Sequence, residues 1–320
     1  MHSQPIDRFR VQSGNVSLAV SRRGDPGRPT VLLVHGYPDN QSVWNEVAAQ
    51  LADQFQVVTY DVRGAGESDA PTATADYNMR HLLADTLAVI DAVSPDQPVH
   101  LVGHDWGAIQ TWEAATEEGL EHRIASFTSI SGVCLDHAGM ILQNELKRRN
   151  LPGLRKVANQ LLHSWYIGMF HLPVLAPASW RLGLARLWPE VLSLLEGVRP
   201  EDNPHQRRDG VLGINLYRAN MLPHLSRPRQ RIAQLPVQMI VATRDPFVTP
   251  GMLGDCTGWI PELWWREIDA GHWLPLTNPQ RLVNWITDFV QLHEGGPESA
   301  SLKRARKHQT AAPERASLAS

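Results

Sequence analysis

The chain has 320 residues, of which 42% are hydrophobic and 20% charged, a composition that excludes a mostly disordered protein. Its net charge of −3 gives no general attraction for nucleic acid or anionic membranes, so neither is expected as an obligatory partner and a small-molecule substrate is favoured. The two cysteines lie far apart and outside any ligand-like spacing, so we predict neither a disulfide framework nor a metal site. The sequence shows neither an apolar leader nor a long apolar run, so we expect a cytoplasmic protein.

Short apolar runs alternate with helical patterns along most of the chain. Residues 8–22 alternate in polarity around Ser13-Gly14-Asn15, which predicts a hairpin of two strands. Further strands are predicted at 30–35, 56–60, 99–103, 124–131, 237–243 and 263–268, and helices at 42–53, 78–93 and 279–290. This alternation is typical of an α/β fold with a mostly parallel sheet, here of eight strands, and helices on both faces.

The alternation stops for about a hundred residues in the middle of the chain. Residues 133–230 are rich in Trp, Leu and Pro and have a helical pattern, so we expect a helical lid inserted into a core made of 1–132 and 231–293. From residue 294 to 320 the sequence is rich in small and basic residues, and a basic run lies at 303–307. We therefore predict a flexible basic tail.

A candidate nucleophile follows the predicted strand at 99–103. The segment Gly103-His104-Asp105-Trp106-Gly107 has the pattern of a nucleophile elbow, a strained strand-to-helix turn, with Asp105 at the central position where esterases carry serine. Such a turn lifts the central side chain above the sheet beside the positive end of the next helix, which favours an ionised carboxylate. Taken alone, the aspartate could equally be a helix N-cap.

Other loops that follow predicted strands complete a candidate site. In folds with a nucleophile elbow, a loop after an earlier strand supplies one backbone N–H group of the oxyanion hole. The segment His35-Gly36-Tyr37-Pro38 stands at that place. The backbone N–H groups of Tyr37 and Trp106 are therefore expected to be the two donors of the oxyanion hole. Asp245 and His272 follow later strands in the order acid, then histidine. Asp136 and Asp269 are rival acids, but their positions in the chain fit the triad less well.

An aspartate nucleophile restricts the class of substrate. Serine attacking a saturated carbon would give an inert ether, whereas a carboxylate forms an ester whose carbonyl belongs to the enzyme. Water activated by His272 could then cleave that ester. The electrophile is therefore expected to be an epoxide or an alkyl halide.

The motifs at 35–38, 61–68 (DVRGAGES), 103–107 and 270–273 (AGHW) together resemble the epoxide hydrolase branch of the α/β-hydrolases, and the match spans residues 8–290. More narrowly, the chain resembles the hydrolase half of bacterial fusions that join an epoxide hydrolase to a short-chain dehydrogenase. It ends where such a second domain would begin. Because no Gly-rich dinucleotide fingerprint is present, we expect no cofactor.

The resemblance also implies roles for lid residues. Tyr166 and Tyr217 occupy the two segments that carry the ring-opening tyrosines of epoxide hydrolases, where phenols donate hydrogen bonds to the leaving oxygen. We expect an apolar epoxide as the substrate, bound in a pocket lined by the aromatic residues Trp106, Trp165, Phe170 and Phe247.

Two other functions stay open at this stage. A haloalkane dehalogenase would also use aspartate and histidine, with indole or amide N–H groups holding the halide, and Trp106 could serve there. Such enzymes usually carry Asn or Glu where Tyr37 stands, which favours the epoxide. A catalytically silent fold that acts as a binding module is the second alternative. A homodimer is neither indicated nor excluded.

Overall fold

The computed structural model describes residues 5–307, and these form one nine-stranded sheet with helices on both faces. The strands are β1 (Asp7–Ser13), β2 (Val16–Arg23), β3 (Thr30–Val34), β4 (Gln56–Tyr60), β5 (Val99–His104), β6 (Ile124–Ile130), β7 (Val237–Ala242), β8 (Leu263–Ile268) and β9 (Arg306–Lys307). Their order is β1-β2-β4-β3-β5-β6-β7-β8-β9. The six strands from β4 to β8 in this order pair in parallel, so their carboxyl ends meet at one edge. The predicted α/β fold is thus confirmed.

The helices of the core lie in the segments before β6 and after β7. They are α1 (Asn45–Leu51), α2 (Met79–Val93), α3 (Trp106–Ala115), α10 (Pro250–Asp255), α11 (Leu274–Thr277), α12 (Pro279–His293) and α13 (Ala300–Ala305). Short 3-10 turns lie at Gln41–Trp44, Thr74–Tyr77 and Thr257–Trp259. The strands β3 and β4 are buried along their whole length, because helices cover both faces of the sheet.

The lid helices lie between β6 and β7. They are α4 (Leu135–Lys147), α5 (Leu151–His163), α6 (Trp165–Phe170), α7 (Leu175–Ser179), α8 (Ala185–Glu196) and α9 (Gln206–Ser226), with a π turn at Trp180–Leu184 before α8. The long helix α9 returns the chain to the core, where the buried Asp209 accepts a 2.8 Å hydrogen bond from the N–H of Gly66. Arg208 donates to two carbonyls of the same turn, those of Gly66 and Ser68. These bonds fix the lid over the carboxyl ends of the strands.

The chain after residue 294 differs from the predicted flexible tail. Within the described residues it forms α13 and then β9, which pairs antiparallel with β8 and makes nine strands instead of the expected eight. Leu302 and Ala305 are buried in a cluster with Trp264 and Phe289, and this burial favours docking of the segment. The prediction underestimated these two apolar anchors. Residues 308–320 of the predicted tail lie outside the described residues.

None of the helices in residues 5–307 combines the length and the apolar character that a membrane-spanning segment needs.

Candidate active site

The turn after β5 has the strained geometry expected of a nucleophile elbow. Asp105 adopts φ 52° and ψ −121°, a conformation that non-glycine residues rarely adopt. Two residues later, a Cβ on Gly107 would lie only 2.0 Å from the carbonyl oxygen of Val34, so glycine is required for the close approach of α3 to β3. The sequence therefore builds a tight turn in which Asp105 stands between a strand end and a helix start.

The two carboxylate oxygens of Asp105 have different neighbours. The backbone N–H of Tyr37 donates a 2.8 Å hydrogen bond to Oδ1. Oδ2 lies 3.5 Å from Nε2 of His272. The N–H of Trp106, the other predicted oxyanion donor, makes no hydrogen bond to this carboxylate within residues 5–307. One of the two predicted donors thus contacts Asp105 in this state.

His272 is held between two carboxylates. Its Nδ1 lies 2.7 Å from Oδ2 of Asp245, and both residues are buried. The other oxygen of Asp245 accepts hydrogen bonds from the backbone N–H groups of Phe247 (2.8 Å) and Val248 (3.0 Å), which fix the carboxylate. The structure therefore places the carboxylates of Asp105 and Asp245 at the two ring nitrogens of His272.

Both rival acids lie elsewhere. Asp136 accepts hydrogen bonds from Arg229, at 2.7 Å from Nη2, and lies 3.2 Å from Nδ1 of His224. Asp269 is exposed and forms an ion pair with Arg244 at 2.7 Å. Neither carboxylate contacts His272, so the geometry favours Asp245.

The electrostatics of the site keep a proton on His272 and a charge on Asp245. Burial opposes the charged imidazole, but the carboxylates of Asp245 and Asp105 outweigh it and raise the pKa of His272 well above its usual value. Burial likewise opposes ionisation of Asp245, yet His272 and the two N–H donors lower its pKa. Loss of the negative charge on Asp105 would remove one of the causes that hold the proton on His272.

Tyr166 and Tyr217 reach the same cavity from two lid helices, α6 and α9. Their rings meet edge to face with centroids 6.0 Å apart, and Tyr217 also packs at 4.8 Å against the ring of Trp106. Burial, together with the charge of Asp105, raises the pKa of both phenols above the usual value for tyrosine. Both hydroxyls therefore stay protonated at neutral pH and can donate hydrogen bonds.

A cavity of about 210 Å³ borders Asp105 and is lined mainly by apolar side chains. Of the four aromatic residues predicted to line it, Trp106 and Phe247 do so, together with both tyrosines. The other two do not. Trp165 is 68% exposed because it points away from the cavity at the lid surface, and Phe170 is buried behind Tyr217 at a centroid distance of 4.8 Å. The expectation that Trp165 and Phe170 contact substrate is corrected accordingly.

Three residues that the sequence did not single out hold the loop of His272. Glu196 accepts a 2.8 Å hydrogen bond from the backbone N–H of His272. His104, within the elbow motif, lies with Nε2 2.9 Å from the carbonyl oxygen of His272. Asp39 accepts a 2.8 Å hydrogen bond from the indole of Trp273. The position of His104 within the elbow motif and that of Asp39 directly after the motif at 35–38 were usable signals, whereas nothing in the lid sequence marked Glu196.

One group of potential metal ligands lies apart from Asp105. Atoms of Glu113, Asp136 and His224 approach within 4.8 Å of one another. The guanidinium of Arg229 bonds to both carboxylates, at 2.9 Å from Glu113 and 2.7 Å from Asp136. A positive charge thus already compensates this cluster, so it gives no support for a metal.

Known proteins resemble the chain over most of its length. A family profile described as alpha/beta hydrolase fold matches residues 29–279. "Epoxide hydrolase A" of Mycobacterium tuberculosis is 36% identical over 333 aligned residues, which cover 89% of this chain and 97% of that protein. "Probable oxidoreductase EphD" of the same organism is 36% identical over 313 residues, 95% of this chain but 52% of that protein, so the chain spans about half the length of this relative.

Solved structures share the fold at lower identity. A structure titled "Vigna radiata Epoxide hydrolase mutant" has a TM-score of 0.72 and 22% identity, and the match covers 91% of this chain and all of that one. A mutant of an epoxide hydrolase from Bacillus megaterium, complexed with its diol product, gives a TM-score of 0.74 at 21% identity, covering 88% of this chain and all of that one. The family profile, together with the relative that is matched over 97% of its length, shows that the chain belongs to the alpha/beta hydrolase fold family.

Proposed function

We propose that the chain hydrolyses apolar epoxides to vicinal diols through an alkyl ester on Asp105. The observation that carries this proposal is the placement of two protonated phenols, Tyr166 and Tyr217, in the apolar cavity that Asp105 borders. A carboxylate that can attack carbon and two hydroxyls that can donate hydrogen bonds to an epoxide oxygen thus face the same cavity. The names of the relatives, several of them epoxide hydrolases, support the same reaction.

In the first step, Oδ2 of Asp105 attacks an epoxide carbon and forms a C–O ester bond. The bond between that carbon and the ring oxygen breaks, and its electron pair stays on the oxygen. Hydrogen bonds from Tyr166 and Tyr217 stabilise this developing alkoxide. Because alkylation removes the charge of Asp105, His272 gives up its proton, and this proton neutralises the alkoxide and leaves a neutral imidazole. We assign the attack to Oδ2 because Oδ1 is occupied by the N–H of Tyr37.

In the second step, His272 removes a proton from water, and the resulting hydroxide attacks Cγ of the ester. The negative charge that develops on Oδ1 is stabilised by the N–H of Tyr37, with the N–H of Trp106 proposed as a second donor. Asp245 holds the imidazole in the required orientation through its 2.7 Å contact. Collapse of the tetrahedral intermediate breaks the bond between Cγ and the alkyl oxygen, which was Oδ2. The proton of the added hydroxyl passes to the departing alkoxide, so the diol leaves, the carboxylate of Asp105 is restored and His272 is protonated again.

Separation of the two half-reactions tests this mechanism. With His272→Gln, we expect mass spectrometry to detect an adduct of one substrate on the peptide that contains Asp105. Diol formation over many turnovers should fall by a factor on the order of 10² or more. Asp105→Asn is the control and should form no adduct initially, because its amide is not a nucleophile.

The origin of the diol oxygen gives an independent readout. In a single turnover of the wild-type enzyme in oxygen-18 water, the diol should contain unlabelled oxygen delivered by Asp105. Solvent label in the first diol, without an adduct on the His272→Gln variant, would contradict the covalent mechanism. Release of bromide from an alkyl bromide, without hydrolysis of any epoxide, would favour the haloalkane dehalogenase instead.

We further propose that the chain corresponds to the hydrolase part of a longer protein such as "Probable oxidoreductase EphD", because the match covers 52% of that relative. The mass of the protein isolated from its source should then exceed 35.7 kDa, and an equal mass would contradict this proposal.

A cytoplasmic location, the lid limits at 133 and 230 and the absence of a cofactor stay predictions from the sequence. Analytical ultracentrifugation would decide between monomer and homodimer.

A further inference from the structure

Exposed apolar side chains are concentrated in the lid. Within the described residues, nearly all large hydrophobic side chains that are exposed lie between Leu146 and Leu222. Five of them follow one another along α5 and the start of α6, and we call these five the apolar lid surface: Leu151, Leu154, Leu161, Leu162 and Trp165. The exposed fractions of Leu162 and Trp165 are 74% and 68%. An exposed apolar patch of this kind marks an interaction site on most soluble proteins.

Helix geometry places these residues on one side of α5. Positions 151, 154, 161 and 162 fall within about a third of the helix circumference at 3.6 residues per turn. Gly153 is the only buried residue of this helix, so α5 lies on the surface of the molecule. The lid therefore presents these four leucines, which we call the leucine stripe, to the solvent.

The charge of the same segment is one-sided. Between Leu146 and Pro189 the sequence contains seven Lys or Arg residues and no Asp or Glu, although the whole chain has a net charge of −3. Two of these cations, Arg148 and Lys156, form ion pairs with Glu145 or Asp255. In the described part of the chain, the other five form no ion pair: Lys147, Arg149, Arg155, Arg181 and Arg186. Arg155 lies on α5 itself, beside the leucine stripe.

The stripe reaches the opening of the cavity at Asp105. Leu161 lines that cavity and is also 62% exposed, so one side chain connects the apolar lid surface with the candidate active site. Gln160 and Ser164 line the cavity beside it. An apolar molecule held against this surface would thus lie next to the entrance.

We propose that the apolar lid surface docks reversibly on an anionic lipid membrane, with the cavity opening toward the lipid. Leucine and tryptophan side chains flanked by Lys and Arg, without acidic residues, are the composition of helices that lie in a membrane interface. Burial of the leucines provides apolar contact, and the unpaired cations attract anionic headgroups. A second copy of the chain would instead bring the seven cations of each copy close together, which disfavours it as the occupant.

The docking can be measured without any catalytic activity. In vesicle flotation, the full chain should bind vesicles of phosphatidylcholine with phosphatidylglycerol more strongly than vesicles of phosphatidylcholine alone. High salt should weaken the binding, since it screens the cations. This arm is independent of the proposed function, so its failure would leave the proposed reaction intact.

Two double variants test the surface itself. Leu151→Gln with Leu162→Gln should weaken binding at least about tenfold, because two side chains no longer insert. Arg149→Gln with Arg155→Gln should weaken binding to anionic vesicles by a similar factor. The matched controls change exposed residues outside the apolar lid surface. Leu222→Gln with Ile232→Gln matches the leucine variant, and Arg80→Gln with Lys303→Gln matches the arginine variant. Both controls should bind like the wild type.

Trp165 provides a local reporter of insertion. Brominated phospholipids should quench part of the tryptophan fluorescence of the wild type, and Trp165→Phe should lose most of that quenching while it still binds. Equal quenching in both proteins would mean that another surface docks, and would overturn the proposal.

A second experiment rests on the proposed epoxide hydrolysis and measures how docking changes the turnover of epoxides. With a long-chain epoxide dissolved in anionic vesicles, Leu151→Gln with Leu162→Gln should reduce turnover about as much as it reduces binding. With a short, water-soluble epoxide, turnover should stay at the wild-type level. The proposal is overturned if the wild type stays unbound, if the variants bind as tightly as the wild type, or if ultracentrifugation finds a dimer that protects α5 from hydrogen exchange.

Discussion

Glu196, at the last position of the lid helix α8, accepts a 2.8 Å hydrogen bond from the backbone N–H of His272. A side chain at residue 271 would displace the same carboxylate, since a Cβ on Gly271 would lie 2.4 Å from its Oε2. The lid therefore contacts the loop of the proposed base directly, in addition to covering the cavity.

We expect Glu196→Ala to lower kcat for diol formation about tenfold or more with a smaller change in KM, because the loop of His272 loses a hydrogen bond to a charged group. Glu196→Gln retains an acceptor oxygen and should recover most of that rate. Steady-state kinetics of both variants provide the measurement. Equal loss in the two variants would show that the charge matters and the hydrogen bond does not.

The two lid tyrosines should act together in the first step. Tyr166→Phe or Tyr217→Phe should each slow alkylation of Asp105, and the double variant should be slowed by a factor on the order of 10³ or more, because the alkoxide would form without either donor. Rapid-quench measurement of the adduct in a His272→Gln background isolates this step. Phe170→Leu, behind the tyrosines, is the packing control and should have a much smaller effect. Wild-type turnover in the double variant would remove the case for epoxides.

The pKa of His272 should depend on the charge of Asp105. The two carboxylates raise this pKa against the effect of burial, so Asp105→Asn should lower it toward its ordinary value. The imidazole then becomes neutral at a lower pH, the form that accepts a proton from water. Nitrogen-15 NMR titration of the histidine provides the measurement, with the exposed Asp269→Asn as the control. An unchanged pKa in Asp105→Asn would contradict the proposed coupling, in which alkylation of Asp105 releases His272 to act as a base.

The docked segment after α12 should detach when its anchor is charged. Leu302 is fully buried against Trp264 and Phe289, so Leu302→Asp would place a carboxylate in an apolar cluster at a cost of several kcal/mol. Amide hydrogen exchange across 300–307 should then accelerate strongly. Lys303→Asp introduces the same side chain at an exposed neighbour and should leave the exchange nearly unchanged. Slow exchange in Leu302→Asp would mean that other contacts hold the segment.

The sequence predicted those parts of the site that stand at the ends of parallel strands. Asp105, Asp245 and His272 each follow a strand, and parallel strands bring their carboxyl ends to one edge whatever the packing of the side chains. Trp165 was misplaced because lid residues carry no such constraint: adjacent positions on α6 point Tyr166 into the cavity and Trp165 out of it. Glu196 was missed because its contact joins two segments that are 76 residues apart.

The short strand β9 also bears on association between molecules. Strand β8 has the sequence LWWREI and would otherwise present an apolar edge with free peptide groups, which can template the addition of a foreign strand. Lys307 and Arg306 pair with Leu263 and Trp264, and the guanidinium of Arg306 lies 5.3 Å from the ring centroid of Trp264. Two basic residues thus close the start of this edge and place positive charge beside it, so a second molecule carrying the same charge would be repelled. The last described residues of the chain thereby shorten the stretch of β8 with which a foreign strand could pair.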